Sequence, residues 1–105
     1  IYGDGSNVRE WTYVKDNCRA IDIIRRDGTP GEVYNIGSGE ERTNLEVARA
    51  ILDAVGAEDD LIKFVEDRPG HDQRYALDSS KVRSLGWGPD WTFTEGLMRT
   101  VEYYS

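Results

Sequence analysis

Residues 43–56 constrain the fold most, because they mark the start, the apolar face and the end of one helix. Thr43 and Glu46 have the spacing of a capping box, in which each side chain bonds the backbone N–H of the other residue. Gly56 is the residue type that most often follows a helix in the left-handed conformation. Between them, apolar residues recur at helical spacing, namely Leu45, Ala48, Ile51, Leu52 and Val55. The sequence therefore predicts an amphipathic helix here.

Extended segments and further helices are predicted on both sides of this helix. Aromatic and β-branched residues, or alternating polarity, favour short strands at residues 11–14, 32–36 and 61–65, and a further extended piece at 74–77. Apolar residues spaced by three and four predict a helix over residues 14–26. The order strand, helix, strand, helix, strand and then two helices indicates an α/β fold.

The two final helices are predicted from their caps. Asp78 or Ser79 can cap a short helix that carries Val82 and Leu85 and ends before Gly86. Thr94 is expected to cap the last helix. The residues expected to face inward from that helix are Leu97, Met98, Val101 and Tyr104.

The chain of 105 residues is long enough for one small domain, so we treat residues 1–105 as one unit or as a piece of one. Hydrophobic residues make up 38% and charged residues 31%, which is the composition of a globular protein. The first residue is Ile1, and a turn-rich segment follows at residues 3–7. We expect the chain to be a part of a longer polypeptide.

Composition excludes several classes of partner. A net charge of −7 makes a nucleic acid an improbable ligand, since binding one requires a basic surface. No apolar run approaches the ~18 residues that indicate a membrane span. The single cysteine, Cys18, allows no internal disulfide, which favours a reducing compartment such as the cytoplasm. One cysteine and one histidine also cannot form a four-ligand zinc site, so we expect no metal.

Residues 67–75 place two arginines and the only histidine around a Pro-Gly turn. A guanidinium offers a planar fork of donors that matches phosphate oxygens, so a diphosphate is a natural ligand for Arg68 assisted by His71. The alternative is a structural turn in which Arg68 pairs with Asp67 or Asp72 and His71 is an ordinary polar loop residue. The residues alone leave both interpretations open.

Three other positions have a functional and a structural interpretation. Arg9 could contact a ligand from the end of a strand, or could form an exposed ion pair with Glu10. Tyr2 and Trp11 could stack on a base, or could be core residues. Asn44 lies in the first helical turn, where free backbone N–H groups favour an anion, but asparagine is also common at helix starts.

Two motifs of dinucleotide enzymes are missing. No tyrosine stands four residues before Lys15, Lys63 or Lys81, and no G-x-G-x-x-G occurs; Gly37-Ser38-Gly39 is interpreted as a turn. We therefore expect neither a catalytic residue nor a cofactor-binding residue in this chain.

In order along the chain, the motifs resemble the C-terminal part of the dTDP-glucose 4,6-dehydratases, members of the extended short-chain dehydrogenase/reductase family that act on nucleotide sugars. The motifs are Ile-Tyr-Gly-Asp-Gly at 1–5, Tyr-Asn-Ile-Gly at 34–37, Arg-Pro-Gly-His-Asp-x-Arg-Tyr-Ala at 68–76 and Leu-Gly-Trp-x-Pro at 85–89. The third is the most specific to these dehydratases. A further motif is Val-Arg-Glu-Trp at 8–11, in which Glu10 departs from the aspartate that the family commonly has before the tryptophan.

The resemblance implies a nucleotide-sugar site and no catalytic group. Ile1 and Tyr2 would lie against the thymine base, and Arg9 and Asn44 would contact the nucleotide and diphosphate region. The loop that grips the nucleoside diphosphate would consist of Asp67, Arg68, Pro69, Gly70 and His71. The resemblance thus favours the functional interpretation of Arg68.

The resemblance further implies a reaction, dTDP-glucose to dTDP-4-keto-6-deoxyglucose plus water, carried out with NAD by the complete enzyme. Most of the Rossmann domain would be absent from this chain, which should be inactive alone and bind no cofactor. Residues near Val14 and Val33 would then lack their usual partners, which predicts exposed apolar surface and self-association. Two alternatives remain, the same region of a UDP-sugar epimerase or decarboxylase, and a binding module without catalysis.

Overall fold

Four helices and three short strands alternate in the computed structural model, which describes residues 1–105. The predicted order of strands and helices and the α/β class are confirmed. In chain order the elements are β1 (Val8–Glu10), α1 (Val14–Asp27), β2 (Glu41–Thr43), α2 (Asn44–Val55), a 3-10 turn (Asp59–Leu61), β3 (Arg74–Tyr75), α3 (Ser80–Ser84) and α4 (Phe93–Tyr104).

The three strands form one small mixed sheet with β1 at its centre. β1 runs antiparallel to β2, with Val8 opposite Thr43, and parallel to β3, with Val8 opposite Arg74. The same register places Arg9 between Arg42 and Tyr75. Because β2 leads directly into α2, the start of that helix lies beside the start of β1.

The capping signals of α2 form as predicted. The Thr43 hydroxyl accepts a hydrogen bond from the Glu46 N–H at 3.1 Å, and the Glu46 carboxylate accepts one from the Thr43 N–H at 3.0 Å. Gly56 follows the helix with φ of 72°, a left-handed conformation. Helix α1 also ends within one residue of its prediction, with Arg25 and Arg26 in its last turn.

The extended piece predicted at 74–77 is confirmed by β3, but the strands predicted at 11–14, 32–36 and 61–65 do not form at those positions. Residues 32–36 are not a strand, because no adjacent strand in the chain supplies their backbone with partners. Residues 61–65 form the end of the 3-10 turn and a single bridge between Val65 and Tyr2. Residues 11–13 lead into α1, and the strand lies just before them at β1. Pairing partners, which β-propensity does not reveal, decide these positions.

Helix α4 begins two residues earlier than predicted. Thr92, not Thr94, is the capping residue, because only Thr92 has a glutamate three residues later to complete a capping box. Of the residues expected to face inward, Leu97 and Val101 are half-buried, whereas Met98 and Tyr104 are 44% and 81% exposed. The predicted orientation is therefore wrong for the last two.

The small core joins α1 to α3 and the segment after it. Its buried apolar residues are Ala20, Ile23, Val82 and Trp87. A buried carboxylate, Asp16, reinforces this contact because it accepts hydrogen bonds from the N–H groups of Asp90 at 2.9 Å and Trp91 at 3.2 Å. The Trp87 indole also donates to the Asp16 carbonyl oxygen at 2.9 Å. Asp16 thus fastens α1 to the approach to α4.

The molecule is flat. Its extents are 48 × 34 × 16 Å and its radius of gyration is 16.0 Å, against about 13 Å for a compact domain of this length. Only 12 of 105 residues are buried, and large apolar side chains such as Val14, Ile21 and Val33 are 54–75% exposed. The apolar surface expected around Val14 and Val33 is therefore present. No helix is long and apolar enough to cross a membrane.

We predict that Asp16→Ala lowers the free energy of unfolding by about 1–3 kcal/mol, because two partly buried backbone N–H groups lose their acceptor. Urea denaturation followed by circular dichroism measures this change. Asp22→Ala is the matched control on the same helix, since the Asp22 carboxylate is exposed and pairs only with exposed arginines. Equal midpoints for the two variants would contradict the role of Asp16.

Candidate functional site

A tight turn carries Arg68 and His71. The His71 N–H donates to the Arg68 carbonyl oxygen at 3.2 Å, which closes the turn. Pro69 fixes φ at the second position, and Gly70 supplies the positive φ, 73°, that a type II turn requires at its third position. The Pro-Gly sequence therefore determines the local backbone of this loop.

His71 is oriented by an aspartate at the start of the same loop. Its Nδ1 lies 2.6 Å from the Asp67 Oδ1, and the same oxygen accepts a hydrogen bond from the Arg68 N–H at 2.8 Å. The His71 side chain is only 5% exposed, so this loop residue is packed into the structure. With Nδ1 occupied, Nε2 is the ring nitrogen that remains for a ligand.

The hydrogen bond from His71 is the main reason why the pKa of Asp67 is lowered from its ordinary value of 3.8. The hydrogen bond from the Arg68 N–H and the positive charge of the Arg68 guanidinium lower the pKa of Asp67 further. Asp67 therefore stays ionised at neutral pH and holds the imidazole in place.

Arg68 forms no ion pair in the structure. Its guanidinium lies over the Tyr2 ring, 5.0 Å from the ring centroid, and the His71 ring stands edge-on to the same ring at 6.2 Å. The alternative in which Arg68 pairs with Asp67 or Asp72 is thus wrong. We call Tyr2 together with residues 67–71 the clamp.

The first residues of the chain run beside the clamp. The Ile1 carbonyl oxygen accepts from the Val65 N–H at 2.8 Å, and the Gly3 N–H donates to the Val65 carbonyl oxygen at 2.9 Å. Gly3 has φ of 63°, and a Cβ there would lie 3.1 Å from the Asp67 carboxylate. Glycine therefore permits the close approach that brings Ile1 and Tyr2 to the loop.

Arg9 reaches the far end of the clamp loop. It donates to the Asp72 carbonyl oxygen at 3.0 Å and to the Val8 carbonyl oxygen at 2.8 Å. Two of its five N–H donors are thus engaged, both by neutral acceptors. The alternative interpretation, an ion pair between Arg9 and Glu10, is wrong, because the Glu10 carboxylate accepts from the Gly39 and Leu77 N–H groups instead.

Asn44 lies at the first position of α2, but the backbone there is not free for an anion. Its N–H donates to the Asn7 carbonyl oxygen at 2.9 Å, and the Leu45 N–H donates to the Gly5 carbonyl oxygen at 3.0 Å. The expectation of free N–H groups at this helix start is therefore wrong. The side chain of Asn44 forms no hydrogen bond within the chain.

Two residues considered at the sequence level lie outside the clamp. Arg74 pairs with Glu41, with its Nη2 2.6 Å from the carboxylate. Trp11 is 37% exposed and lines a separate groove of about 730 Å³ with Tyr13 and Trp91. No three metal-ligating side chains converge anywhere in the chain.

Asn7 was not predicted as part of the site, because the sequence places it only in the turn-rich segment at residues 3–7. Asn7 is 2% exposed, and its side-chain amide donates to the Asp72 carbonyl oxygen at 3.0 Å. A polar residue directly before a strand was the only available signal, and it does not reveal burial.

We predict that the Asp67 carboxyl titrates below pH 3.8 and that His71→Ala raises its midpoint toward that value, because the main stabilising hydrogen bond is removed. Since the folded-state pKa is the lowered one, the stability that Asp67 contributes is present above pH 3.8 and is lost as pH falls through the folded-state pKa. Carboxyl-carbon NMR measures both midpoints. Asp78 is the internal control, because Ser80 lowers its pKa, and an unchanged Asp67 midpoint in the variant would contradict the pairing.

Known proteins match almost the whole chain. The family model described as GDP-mannose 4,6 dehydratase matches residues 1–100. The low-salt glycan biosynthesis protein Agl12 of Haloferax volcanii is 62% identical over 104 residues, which are 99% of this chain and 34% of that protein. The dTDP-glucose 4,6-dehydratase of Streptomyces niveus is 51% identical over 105 residues, 99% of this chain and 31% of that protein.

The fold matches a solved structure equally well. The dTDP-glucose 4,6-dehydratase DesIV of Streptomyces venezuelae, crystallised with NAD and TYD bound, superposes with a TM-score of 0.92 at 48% identity, over 99% of this chain and 33% of that one. The chain spans about a third of the length of the relatives it matches. Since the family model covers nearly every residue and the motif resemblance is confirmed at these identities, the chain belongs to the GDP-mannose 4,6 dehydratase family of extended short-chain dehydrogenases/reductases.

Proposed function

We propose that residues 1–105 are the C-terminal, nucleotide-sugar-binding portion of a dTDP-glucose 4,6-dehydratase. The observation that carries this proposal is the clamp, in which the Arg68 guanidinium has no carboxylate partner and His71 is oriented by Asp67. A free guanidinium beside an oriented imidazole suits a diphosphate, since both supply donors to its oxygens. The identity to dTDP-glucose 4,6-dehydratases supports the choice of nucleotide.

Each clamp residue has a distinct role in this proposal. Arg68 and the Nε2 of His71 bind the diphosphate, while Asp67 holds the imidazole. Pro69 and Gly70 shape the turn that presents them. The exposed Tyr2 ring, from which Arg68 would move toward the phosphates, lies against the thymine base together with Ile1.

Arg9 and Asn44 complete the site from the other side of the loop. Arg9 has three N–H donors left for the nucleotide or its diphosphate after its two backbone hydrogen bonds. The side-chain amide of Asn44 forms no hydrogen bond within the chain and is available to a ligand. Asn44 bonds the backbone of Asn7, and the Asn7 side chain also contacts the clamp loop. The two residues therefore contribute polar contacts rather than chemistry.

The reaction we propose for the whole enzyme converts dTDP-glucose to dTDP-4-keto-6-deoxyglucose and water. The start of α2 does not fit NAD, the cofactor of this reaction, because its backbone N–H groups are already hydrogen-bonded. The first N–H groups of α2 are taken by Gly5, Asn7 and Thr43, which leaves no backbone cradle for a pyrophosphate. We assign NAD and the catalytic residues to the remainder of the polypeptide and expect no turnover from residues 1–105 alone.

The same proposal names the partners of the chain. The N-terminal domain of the enzyme would cover exposed apolar side chains such as Val14, Ile21 and Val33, all more than half exposed. Without that domain, these side chains would drive self-association of the chain. The acidic net charge gives a nucleic acid no basic surface, and a cytoplasmic location suits a sugar-nucleotide enzyme.

We predict that the chain binds dTDP more tightly than UDP or GDP, and that Arg68→Ala weakens dTDP binding about 10- to 100-fold through loss of charge-assisted hydrogen bonds. His71→Ala should weaken it in the same direction. Isothermal titration calorimetry with the three nucleotides measures these affinities.

Arg49→Ala is the matched control, because Arg49 is an exposed helical arginine without an ion pair. A preference for UDP would instead favour the region of a UDP-sugar epimerase or decarboxylase. Equal effects of Arg68→Ala and Arg49→Ala would contradict the clamp.

We also predict concentration-dependent self-association of residues 1–105 in analytical ultracentrifugation, reduced by Val33→Ser because Val33 is 75% exposed. Ser105→Ala, a small change at an exposed terminal residue, is the control. A monodisperse monomer with no apolar surface accessible to a hydrophobic dye would contradict this expectation.

A further inference from the structure

Asn7 is the most deeply buried polar side chain near the clamp without a role in the proposed site. It is 2% exposed, which is uncommon for an amide side chain unless it is hydrogen-bonded. Its Nδ2 donates to the Asp72 carbonyl oxygen at 3.0 Å, across 65 residues of sequence. The buried amide therefore has one specific partner, the backbone at the end of the clamp loop.

The backbone of Asn7 holds a second part of the site. Its carbonyl oxygen accepts from the Asn44 N–H at 2.9 Å, at the start of α2. One residue thus contacts both the clamp loop and Asn44, which lie on opposite sides of the first strand. Its position sets the distance between these two parts.

Asn7 also shares its acceptor with Arg9. The Asp72 carbonyl oxygen accepts from the Asn7 amide and from the Arg9 guanidinium, each at 3.0 Å. A carbonyl oxygen has two lone pairs, so these two donors occupy it fully. The Asn7 bond is the more shielded from water, since the Arg9 contact is exposed. Asn7 can therefore hold the loop while Arg9 turns toward a ligand.

The two ends of the loop are held differently. Before Asp67, backbone hydrogen bonds join Val65 to Ile1 and Gly3. After His71, the Val8 N–H donates to the Gln73 carbonyl oxygen at 2.7 Å, and side chains add to this backbone anchor. They are the two side chains on Asp72 and the Gln73 side chain, whose amide donates to the exposed Ser6 at 3.0 Å. The Asn7 amide is the buried anchor at this end.

We propose that Asn7 is a positioning residue for nucleoside diphosphate binding: it fixes the C-terminal end of the clamp loop relative to Asn44 and leaves Arg9 free to contact the ligand. This inference rests on the proposed function. Asn7 touches no substrate itself and acts through the Asp72 carbonyl.

The test uses the polypeptide translated from the complete reading frame, with Asn7→Asp, which keeps the shape but replaces the amide donor, and Asn35→Asp as the control. Asn35 is exposed in residues 1–105 and forms no side-chain hydrogen bond there, so the control makes the same chemical change without a contact to Asp72. We expect the KM for dTDP-glucose to rise about tenfold in Asn7→Asp, with kcat within twofold. Hydrogen exchange of the segment 67–72 should accelerate in the same variant.

A purely structural role would lower the melting temperature or the active fraction and leave KM and the exchange of this segment as in the control, and that result would overturn the inference. If Asn7→Asp does not fold, Asn7→Ala replaces it, because alanine removes the donor without adding a charge. We expect the same changes in KM and in the hydrogen exchange of residues 67–72. If the wild-type protein neither bound dTDP nor turned over dTDP-glucose, the proposed function would fail. Hydrogen exchange would then still show whether Asn7 holds the loop.

Discussion

The site depends on the first eleven residues, which form backbone hydrogen bonds to the clamp loop on one side and to the start of α2 on the other. On one side, Gly3 bonds Val65 and Val8 bonds Gln73. On the other, the carbonyl oxygens of Gly5 and Asn7 accept the first N–H groups of α2. The loop and the helix start do not bond each other, so their relative placement is set by this segment. A shift of one residue in its pairing would turn Tyr2 away from Arg68.

An acidic protein can expose a cationic site only if its arginines there are not neutralised locally. Most of the basic side chains here are paired with carboxylates, including Arg25, Arg42, Arg74 and Lys81. Arg9 and Arg68 differ, since their guanidiniums contact carbonyl oxygens and an aromatic ring. The net charge of −7 therefore does not conflict with a local anion site, because no carboxylate pairs with either of these two guanidiniums.

The helices and the turn could be predicted from local motifs, whereas features that depend on long-range contacts could not. The capping box at Thr43 and the Pro-Gly turn at residues 69–70 depend on residues three or fewer apart, and both form as expected. The strands were misplaced because pairing joins segments more than 30 residues apart. The hydrogen bond from Asn7 to the Asp72 carbonyl oxygen could not be predicted from the sequence for the same reason. The identities of Arg68 and His71 were readable, but the absence of an ion pair at Arg68 needed the folded chain.

The turn at residues 68–71 has a kinetic consequence. Pro69 and Gly70 restrict the loop before any ligand arrives, and the bond between Asp67 and His71 restricts it further. Because the loop already loses its conformational entropy when the chain folds, it loses little more when a ligand binds. Substitutions that loosen this turn without removing a donor would therefore act mainly on the dissociation rate, and the residence time of a nucleotide would report the rigidity of the loop.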